Sequence, residues 1–405
     1  MSDKSRRRRR EPLHEPELEV RIERILPGGM GLAHAAGRTL LVALAAPGDL
    51  VRARIESVRG RVAFASIVEV LEPSPVRVEP PCPYFGRCGG CDFQQMDYRA
   101  QLESKVEIIR DCLRRIARIE PGEIPITPSP LEWRYRARAQ WQHDDARHRI
   151  GYYERGSHRV CDVAECPVLV PELQSTLSGL REQMSEGSLP PRSEDFQAVA
   201  GDEGVSLSPT LSGEEPLEAS RVILEHRYRF SAEGFFQINQ SLLPSLVAHA
   251  LDDARGGTAI DLYCGVGLFT LPLARRFNQV IGVEGNPSAA AYARRNLLNA
   301  ELRNSQVECA GVGTWLNENA HHHAPVDLVL LDPPRTGLEE GAAQGILALR
   351  PRRITYVSCD PATLARDLRE IVAGGYTPES LAAFDMFPQT HHVETVVRLS
   401  HTLAG

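Results

Sequence analysis

Residues 258–274, TAIDLYCGVGLFTLPLA, decide the fold of this 405-residue chain. An apolar run ends just after Asp261, a turn containing Gly265 and Gly267 follows, and a second apolar run begins at Leu268. A strand, a glycine turn and a helix in this order are typical of the first unit of a doubly wound α/β sheet, where glycines let a ligand approach the backbone. The sequence therefore predicts a ligand site at the carboxyl end of this strand, with Gly265 in contact with the ligand.

An acidic residue, Glu284, ends the next apolar strand, QVIGVEGN, 23 residues after Asp261. An acid at this place hydrogen-bonds the ribose hydroxyls that NAD and S-adenosylmethionine (SAM) share. A dinucleotide-binding G-x-G-x-x-G motif would need a third glycine where the chain has Thr270. Together with Asp261 before the turn, this favours a class I SAM-dependent methyltransferase domain over an NAD-binding domain.

A further strand, VDLVLLDPPRTG at residues 326–337, ends in Asp332 followed by two prolines and Arg335. The carboxyl ends of parallel strands meet at one edge of a sheet, so we expect Asp332 beside the pocket for the methyl donor. Aspartate before prolines also occurs in N-methyltransferases of adenine, where an aromatic residue usually closes the motif. An N-methyltransferase is therefore one alternative interpretation.

Residues 354–368, ITYVSCDPATLARDL, place Cys359 between a short apolar strand and a helix that begins at Pro361. Helix N-terminal amides and a cation such as Arg366 favour the thiolate over the thiol. A lone cysteine is most often a small buried hydrophobe, but the flanking residues here are typical of a turn. We therefore expect Cys359 to have a lowered thiol pKa and to act as a nucleophile.

Three cysteines, Cys82, Cys88 and Cys91, have the spacing C-x5-C-x2-C, with glycines between them. Nine cysteines in a chain with no signal-peptide pattern indicate metal binding or catalysis rather than disulfides. Cys166, which precedes a proline, is the candidate fourth ligand, and Cys161 competes with it. Zinc and iron–sulfur clusters both accept four thiolates, so the spacing alone leaves both open.

The amino-terminal part changes from a basic run to short strands. Residues 1–15 include Arg6–Arg10 and are expected to be a disordered arm. Residues 18–71 contain five short β-stretches separated by glycine turns, which predicts a small closed barrel. Its arginines at 52, 54, 59 and 61 could share one face.

The stretch from Trp133 to Val163 is strand-like and combines basic with aromatic residues, a pattern that suits phosphate contact and base stacking. A half-buried sheet is the alternative. The residues concerned are Arg134, Arg136, Arg138, Arg147, Arg149, Arg155 and Arg159, with Trp133, Tyr135, Trp141, Tyr152 and Tyr153. The net charge of −7 does not exclude RNA, because residues 171–220, expected to form a surface helix and a loose hairpin, carry ten acids and two arginines.

These motifs together resemble the RNA uracil-5-methyltransferases, SAM-dependent enzymes that make ribothymidine. The resemblance rests on the Cys359 string, on FSAEGFFQINQ at residues 230–240, on HHVE ending at Glu394, and on the four cysteines. It implies that Cys359 adds to uracil C6 and that Glu394 is the general base. It also implies SAM contacts from Gln237 and Tyr263, and a [4Fe–4S] cluster on Cys82, Cys88, Cys91 and Cys166.

The resemblance implies an α/β fold: a Rossmann-like class I SAM methyltransferase domain with an OB-like TRAM β-barrel before it and a β-rich iron–sulfur subdomain between them. The expected boundaries are 16–74 for the barrel, 75–230 for the central RNA-binding region and 231–405 for the methyltransferase domain. Relatives with both barrel and cluster more often act on 23S rRNA, whereas those acting on the tRNA T-loop typically lack both. We therefore expect 23S rRNA as substrate and keep tRNA as the alternative.

The remaining expectations concern partners and place. No apolar run approaches the ~18 residues of a membrane span, so we expect no membrane partner. Since the chain also shows no signal-peptide pattern, we expect a cytoplasmic protein. We further expect a monomer. From another functional class, an iron–sulfur RNA-binding protein with a vestigial SAM fold is the alternative, which Asp261, Gly265, Gly267 and Glu284 disfavour.

Overall fold

The computed structural model describes residues 17–190, 194–211 and 217–401. The predicted basic arm, residues 1–15, lies outside the described residues. The described chain forms three main sheets in sequence order, and their strands and helices are numbered here along the chain.

The first sheet has six strands, in the order β1-β5-β6-β4-β3-β2. All its neighbours are antiparallel except β4 and β6. Strand β1, at one edge of the sheet, also contacts β3, which lies near the other edge. Side chains from most strands share one core. The strands are β1 Leu18–Arg21, β2 Arg24–Leu26, β3 Met30–Ala35, β4 Arg38–Val42, β5 Leu50–Arg59 and β6 Val62–Glu72.

The prediction of five stretches is one strand short, because the VRIERIL stretch divides into β1 and β2. At the break, the amide of Ile22 donates to Asp49 O and that of Glu23 donates to Leu32 O. The chain therefore leaves its pairing with β5 and turns to pair with β3. Arg52 and Arg54 lie on the same face of β5, opposite its buried residues, as predicted, and both pair with glutamates on neighbouring segments.

The central part begins with a helix capped by Asp97, whose carboxylate accepts from Ala100 N. A π-helical turn over Leu113–Ala117 extends this helix, and a five-stranded sheet of order β10-β9-β8-β11-β12 follows. The elements are α1 Tyr98–Cys112, β7 Ile126–Thr127, β8 Arg138–Asp144, a 3-10 turn Asp145–Arg147, β9 Arg149–Tyr153, β10 Val160–Asp162, α2 Pro171–Glu186, β11 Asp195–Ala200, β12 Val205–Ser208, and the hairpin β13 Ala219–Ile223 and β14 His226–Phe230.

The acidic segment is better packed than the sequence suggests. The helix α2 was expected on the surface, yet it buries an apolar stripe that includes Leu173, Leu177 and Leu180. The expected hairpin is present as β11 and β12, but it is not loose: β11 lies inside the sheet between β8 and β12 and buries Phe196 and Ala198. Burial of alternate apolar side chains places β11 there despite the surrounding acids.

The carboxy-terminal part is an eight-stranded mixed sheet of order β17-β16-β15-β18-β19-β21-β20-β7, with a buried cluster on each face. Strands β15 to β19 are parallel, β21 is antiparallel to both β19 and β20, and β7 adds an edge. Its elements are α3 Leu243–Leu251, β15 Gly256–Leu262, α4 Thr270–Ala274, β16 Phe277–Glu284, α5 Pro287–Asn299, β17 Ser305–Cys309, α6 Val312–His323, β18 Leu328–Leu331, α7 Ala342–Ala348, β19 Arg353–Ser358, α8 Pro361–Ala373, β20 Tyr376–Phe384 and β21 Glu394–His401.

This order confirms the predicted doubly wound α/β sheet. The strand order reverses at β15, which has β16 on one side and β18 on the other. Ligands of open α/β sheets bind outside the carboxyl ends of the strands at such a reversal. None of the helices in the described residues is long and apolar enough to cross a membrane.

Candidate active site

The strand ends of the last sheet bring the predicted site residues to one edge. Leu262 of β15 lies beside Leu331 of β18, and Leu331 lies beside Tyr356 of β19. Strand β21 runs the other way, with Thr395 opposite Ser358. The carboxyl ends of three strands therefore meet the amino end of β21.

A cavity of about 600 Å³ opens at this edge, and we call it the strand-end cavity. All seven residues predicted to catalyse or to bind SAM line it. They are Gln237, Tyr263, Gly265, Glu284, Asp332, Cys359 and Glu394.

One half of the cavity is formed by backbone and by Glu284. Tyr263 and Gly265 have positive φ angles of 62° and 55°, and no atom lies within 4 Å of a Cβ built on Gly265. The carboxylate of Glu284 accepts from Gly265 N at 2.9 Å and from Asn286 N at 2.6 Å. It keeps lone pairs for hydroxyl donors, so this half fits a ribose against an open glycine turn.

Two acids lie near the ends of β15 and β18: Asp332 lines the cavity, and Asp261 lies behind its lining. Asp332 accepts from Gln237 Nε2 at 3.3 Å, and burial raises its pKa to about 7. Asp261 is fully buried below the glycine turn and accepts from Thr270 Oγ1. Burial raises the pKa of Asp261 to about 8. A cationic ligand beside these acids would favour their ionised forms.

Cys359 and Glu394 lie next to each other at the β19–β21 edge, since each flanks the Ser358–Thr395 pair. Glu394 is 1% exposed, and its Oε1 has no hydrogen-bond partner among the described residues. Burial raises its pKa well above the usual value, and the neighbouring Asp332 adds to this effect. A buried carboxyl with a free oxygen is suited to accept a proton from a bound substrate.

The expectation of a lowered pKa at Cys359 is wrong for the protein without ligands. Burial raises the pKa of Cys359 to about 12, with smaller contributions from Glu394 and Asp332. The predicted cation, Arg366, instead donates to the carbonyls of Thr336 and Leu338. The nearby cation is Arg335, which lowers the thiol pKa but does not outweigh burial.

The helix after Cys359 is placed as predicted. It begins at Pro361 after the N-cap Asp360, whose Oδ1 accepts from the amides of Ala362 and Thr363. Because the side chain of Asp360 takes these amides, less of the helix-end charge is available to the neighbouring thiol.

A second pocket, here called the thiol pocket, is lined by Cys82, Cys88, Cys91 and Cys166. Cys161, the competing fourth ligand, does not line it, and its Sγ accepts from Arg87 Nε at 3.2 Å. Among the described residues, no group of three or more His, Cys, Asp or Glu side chains stands out as able to hold a metal ion. The predicted metal site therefore stays a prediction.

The walls of the thiol pocket contain polar atoms that lack partners. Arg136 Nε, Gln94 Oε1 and Tyr152 OH are buried and have no hydrogen-bond partner in the part of the chain that the structure describes. Burial raises the pKa of Cys88 to about 11 and that of Cys91 to about 12. Guanidinium and phenol groups aimed at four thiols fit an anionic, thiolate-bound group, since unpaired buried polar groups are costly.

Several predicted RNA contacts are instead structural. Tyr135, Trp141 and Tyr152 point into the protein: the first two are at most 3% exposed, and the hydroxyl of the third is buried. Arg138 donates to the carbonyls of Ala232 and Gly234. The half-buried sheet was thus the correct alternative for these side chains, because their strands pack against α2.

Sequence reasoning missed residues whose partners are remote in the chain. Arg335 and Phe387 line the strand-end cavity, and Asp92 bonds His391, 299 residues away. The position of Asp92 directly after Cys91 and that of His391 in the HHVE string were the only signals. Neither signal indicates a partner.

Fold and cavity together define a class I, SAM-dependent methyltransferase. The family model described as tRNA (uracil-5-)-methyltransferase matches residues 218–311 and 316–402. The chain is 34% identical to the 23S rRNA (uracil(1939)-C(5))-methyltransferase RlmD of Alkalilimnicola ehrlichii, over 96% of this chain and 98% of that protein. The protein of the same name from Pectobacterium atrosepticum is 32% identical, over 95% and 94%. The chain therefore belongs to the RNA (uracil-5-)-methyltransferase family and is an RNA uracil-C5 methyltransferase.

A solved structure shows the same fold. The tRNA (uracil-54, C5)-methyltransferase of Pyrococcus abyssi, in complex with S-adenosyl-L-homocysteine, superimposes with a TM-score of 0.73 at 24% identity. The match covers 94% of this chain and 100% of that chain.

Proposed function

We propose that this enzyme methylates C5 of a uracil in 23S rRNA by a covalent mechanism in which Cys359 is the nucleophile and Glu394 the base. The observation that carries the proposal is the juxtaposition of the half-buried Cys359 thiol and the buried Glu394 carboxyl, whose Oε1 has no partner among the described residues, in one cavity with Asp332. The substrate is taken from the relatives named as 23S rRNA methyltransferases.

The chemistry follows from the weak nucleophilicity of uracil C5. The Cys359 sulfur forms a bond to C6, and the C5–C6 π electrons move onto C5 and the adjacent carbonyl as an enolate. SAM, when bound, supplies the electrophilic methyl group for C5. Glu394 then removes the remaining C5 proton, and the C6–S bond breaks as the double bond re-forms.

The charges of the cavity suit these steps. Arg335 is the cation that favours the Cys359 thiolate, opposing the burial that holds the thiol pKa at about 12. The raised pKa of Glu394 makes its carboxylate a stronger base than an exposed glutamate. Thiolate formation is therefore the step that needs the bound substrate and Arg335, and Glu394 acts as the base in its ionised form.

The cofactor contacts are assigned by what each side chain can offer. Glu284 accepts from the ribose hydroxyls, and Gly265 allows close approach of the backbone. The hydroxyl of Tyr263 is buried without a partner among the described residues and can donate to the ligand. Gln237 and Asp332, already joined by a hydrogen bond, lie where positive charge on the methyl donor is favourable.

We further propose that Cys82, Cys88, Cys91 and Cys166 hold a [4Fe–4S] cluster. Four thiols around one pocket, beside Arg136, whose Nε has no partner among the described residues, support an anionic thiolate complex. Because its cysteines come from two loops that are distant in the sequence, such a cluster would hold these loops together. Nothing in the chemistry at uracil C5 requires electron transfer.

We propose that the chain divides into two RNA-binding regions followed by a methyltransferase domain. Residues 16–74 are proposed to be a TRAM barrel, residues 75–230 a central RNA-binding region, and residues 231–405 the methyltransferase domain. The six-stranded sheet with one shared core supports the barrel. A buried target base must leave its stack to reach Cys359, so an extended RNA-binding surface beside the cavity suits this reaction.

The test uses cellular RNA in which uridine is replaced by 5-fluorouridine, incubated with the protein and SAM. Fluorine cannot leave C5 as a proton does, so the enzyme is expected to remain bonded to RNA through Cys359 after denaturation. Cys359→Ala should form no adduct and lose methyl transfer. Cys309→Ala is the matched control, because Cys309 is exposed and lies outside the cavity lining.

Sequencing the trapped RNA identifies the substrate. Adducts on 23S rRNA support the proposal, whereas adducts confined to the tRNA T-loop would show that tRNA is the substrate. Methyl transfer that persists in Cys359→Ala would contradict the cysteine mechanism and favour the N-methyltransferase alternative.

A further inference from the structure

The loop between β20 and β21, residues 385–393, leads directly into Glu394 and carries Phe387, which lines the strand-end cavity. The position of this loop therefore sets the position of the proposed base. Many of its hydrogen bonds go to residues of the central part of the chain, 250 or more positions earlier.

One contact is made by the residue that follows Cys91. The carboxylate of Asp92 accepts from His391 N at 2.8 Å and from His391 Nδ1 at 2.5 Å. The amides of Asp92 and Phe93 both donate to Gln389 O, at 3.1 and 3.0 Å. The segment that carries Cys91 is thus joined to the loop by two backbone and two side-chain hydrogen bonds.

Other contacts support the loop from the α1 side. Gln101 exchanges two hydrogen bonds with Gln389, and the fully buried Lys105 donates to Asp385 and to Phe387 O. These contacts hold the first half of the loop. The Asp92 contact is the one at its end, three residues before Glu394.

We propose that Asp92 is a positioning residue for the reaction: through His391 it holds Glu394 in place to remove the C5 proton. This inference rests on the proposed function of Glu394. His391 and Asp92 do not line the cavity, so they act on the reaction through the loop. The same contact makes the thiol-pocket segment and the catalytic loop one mechanical unit.

The role has a specific kinetic consequence. A displaced base leaves addition by Cys359 and methyl transfer intact but slows the elimination that releases the product. Methylated RNA should then remain bonded to the enzyme during turnover on ordinary uridine RNA. A displacement of about 1 Å costs roughly 10²-fold in rate, so we expect a kcat loss of this size with the KM for RNA little changed.

The experiment compares Asp92→Ala, His391→Ala and the double variant with Glu394→Gln, in which elimination is blocked directly. The measurement is the fraction of enzyme in a denaturation-resistant complex with ordinary RNA and SAM at steady state. Glu103→Ala is the control, because Glu103 is exposed and pairs with Arg99 on the same helix, α1. Iron and acid-labile sulfide contents show whether the thiol pocket is intact in each variant.

The expected result is accumulation of adduct in both single variants, with the double variant no worse than either, because the two residues form one interaction. His391→Ala is expected to keep its metal content, because His391 does not line the thiol pocket. If Glu394→Gln accumulates adduct while Asp92→Ala and His391→Ala resemble Glu103→Ala, the positioning role is overturned and the cysteine mechanism stands. If Glu394→Gln forms no adduct and 5-fluorouridine RNA traps no wild-type enzyme, the proposed function fails and the positioning role fails with it.

Discussion

The strand-end cavity and the thiol pocket both contain groups whose pKa burial raises and polar atoms without partners among the described residues, yet they are assembled differently. The cavity takes its residues from the ends of adjacent strands of one sheet. The thiol pocket takes its cysteines from two loops that are attached to different neighbours: Cys88 is bridged to Glu154, and Leu169, close to Cys166, is bridged to Arg136. One sheet therefore holds the first site, whereas the second brings together two separate loops.

Because of this difference, the two sites depend on their ligands to different degrees. In the cavity, the parallel register places Asp332 and Cys359 whether or not SAM is present. In the thiol pocket, burial raises the pKa values of Cys88 and Cys91, so binding a metal must displace protons from thiols. The free energy of that binding then contributes to the stability of the central region.

Substitution of a thiol-pocket cysteine should give the largest effect on stability. Cys166→Ala is expected to lose iron and to lower the Tm markedly, because structural metal sites contribute on the order of 10 kcal/mol. SAM affinity, measured by calorimetry, should change little, since the cavity is held by its own sheet.

Two further cysteines are the controls for that experiment. Cys161→Ala should keep its iron, because Cys161 lies outside the pocket lining, and Cys309→Ala is an exposed reference. If Cys161→Ala loses iron and Cys166→Ala retains it, then Cys161 rather than Cys166 is the fourth ligand. Loss of SAM binding in Cys166→Ala would contradict the expectation that the SAM half of the cavity is held by its own sheet.

The titration of the two sites separates them further. Asp261 and Asp332 have pKa values raised to about 8 and about 7, against about 3.9 for an unfolded aspartate. A carboxyl that binds its proton more tightly when folded stabilises the fold at low pH, and this contribution is lost as pH rises from about 4 to about 8. The thiols, with pKa values near 11 and 12, do not titrate in this window.

We therefore expect Asp261→Asn to gain stability relative to wild type at pH 8 more than at pH 5, by up to several kcal/mol, since each pKa unit is worth about 1.4 kcal/mol. Urea unfolding of the ligand-free protein at the two pH values measures this. Glu318→Gln on the exposed face of α6 is the control. Equal changes at both pH values would show that Asp261 is not protonated in the fold.

The same comparison explains how far the sequence could be used. Gly265, Glu284 and Asp332 could be predicted because the strand ends of a parallel sheet share one edge. Gln237, Tyr263 and Glu394 were predicted from the family resemblance, and Glu394 lies on the antiparallel β21. The pKa of Cys359 was not predicted, because burial depends on what covers the thiol, and Arg366 turns to the carbonyls of Thr336 and Leu338. The buried Trp141 and the β11 strand were misjudged because arginines and acids around them suggested a surface.

The smallest expected effect concerns the outer face of the thiol pocket. Tyr153, 41% exposed and in edge contact with His158, lines a surface pocket of about 500 Å³ that also includes Gly89 and Gly90. A stacked base contributes about 1–3 kcal/mol, so Tyr153→Ala should weaken RNA binding by roughly 5- to 150-fold, and Tyr153→Phe should keep most of the affinity. Filter binding at fixed salt measures this, with Leu298→Ala, an exposed side chain on α5, as control. Unchanged affinity in Tyr153→Ala would show that RNA does not stack on this face, and the thiol pocket would then have a purely structural role.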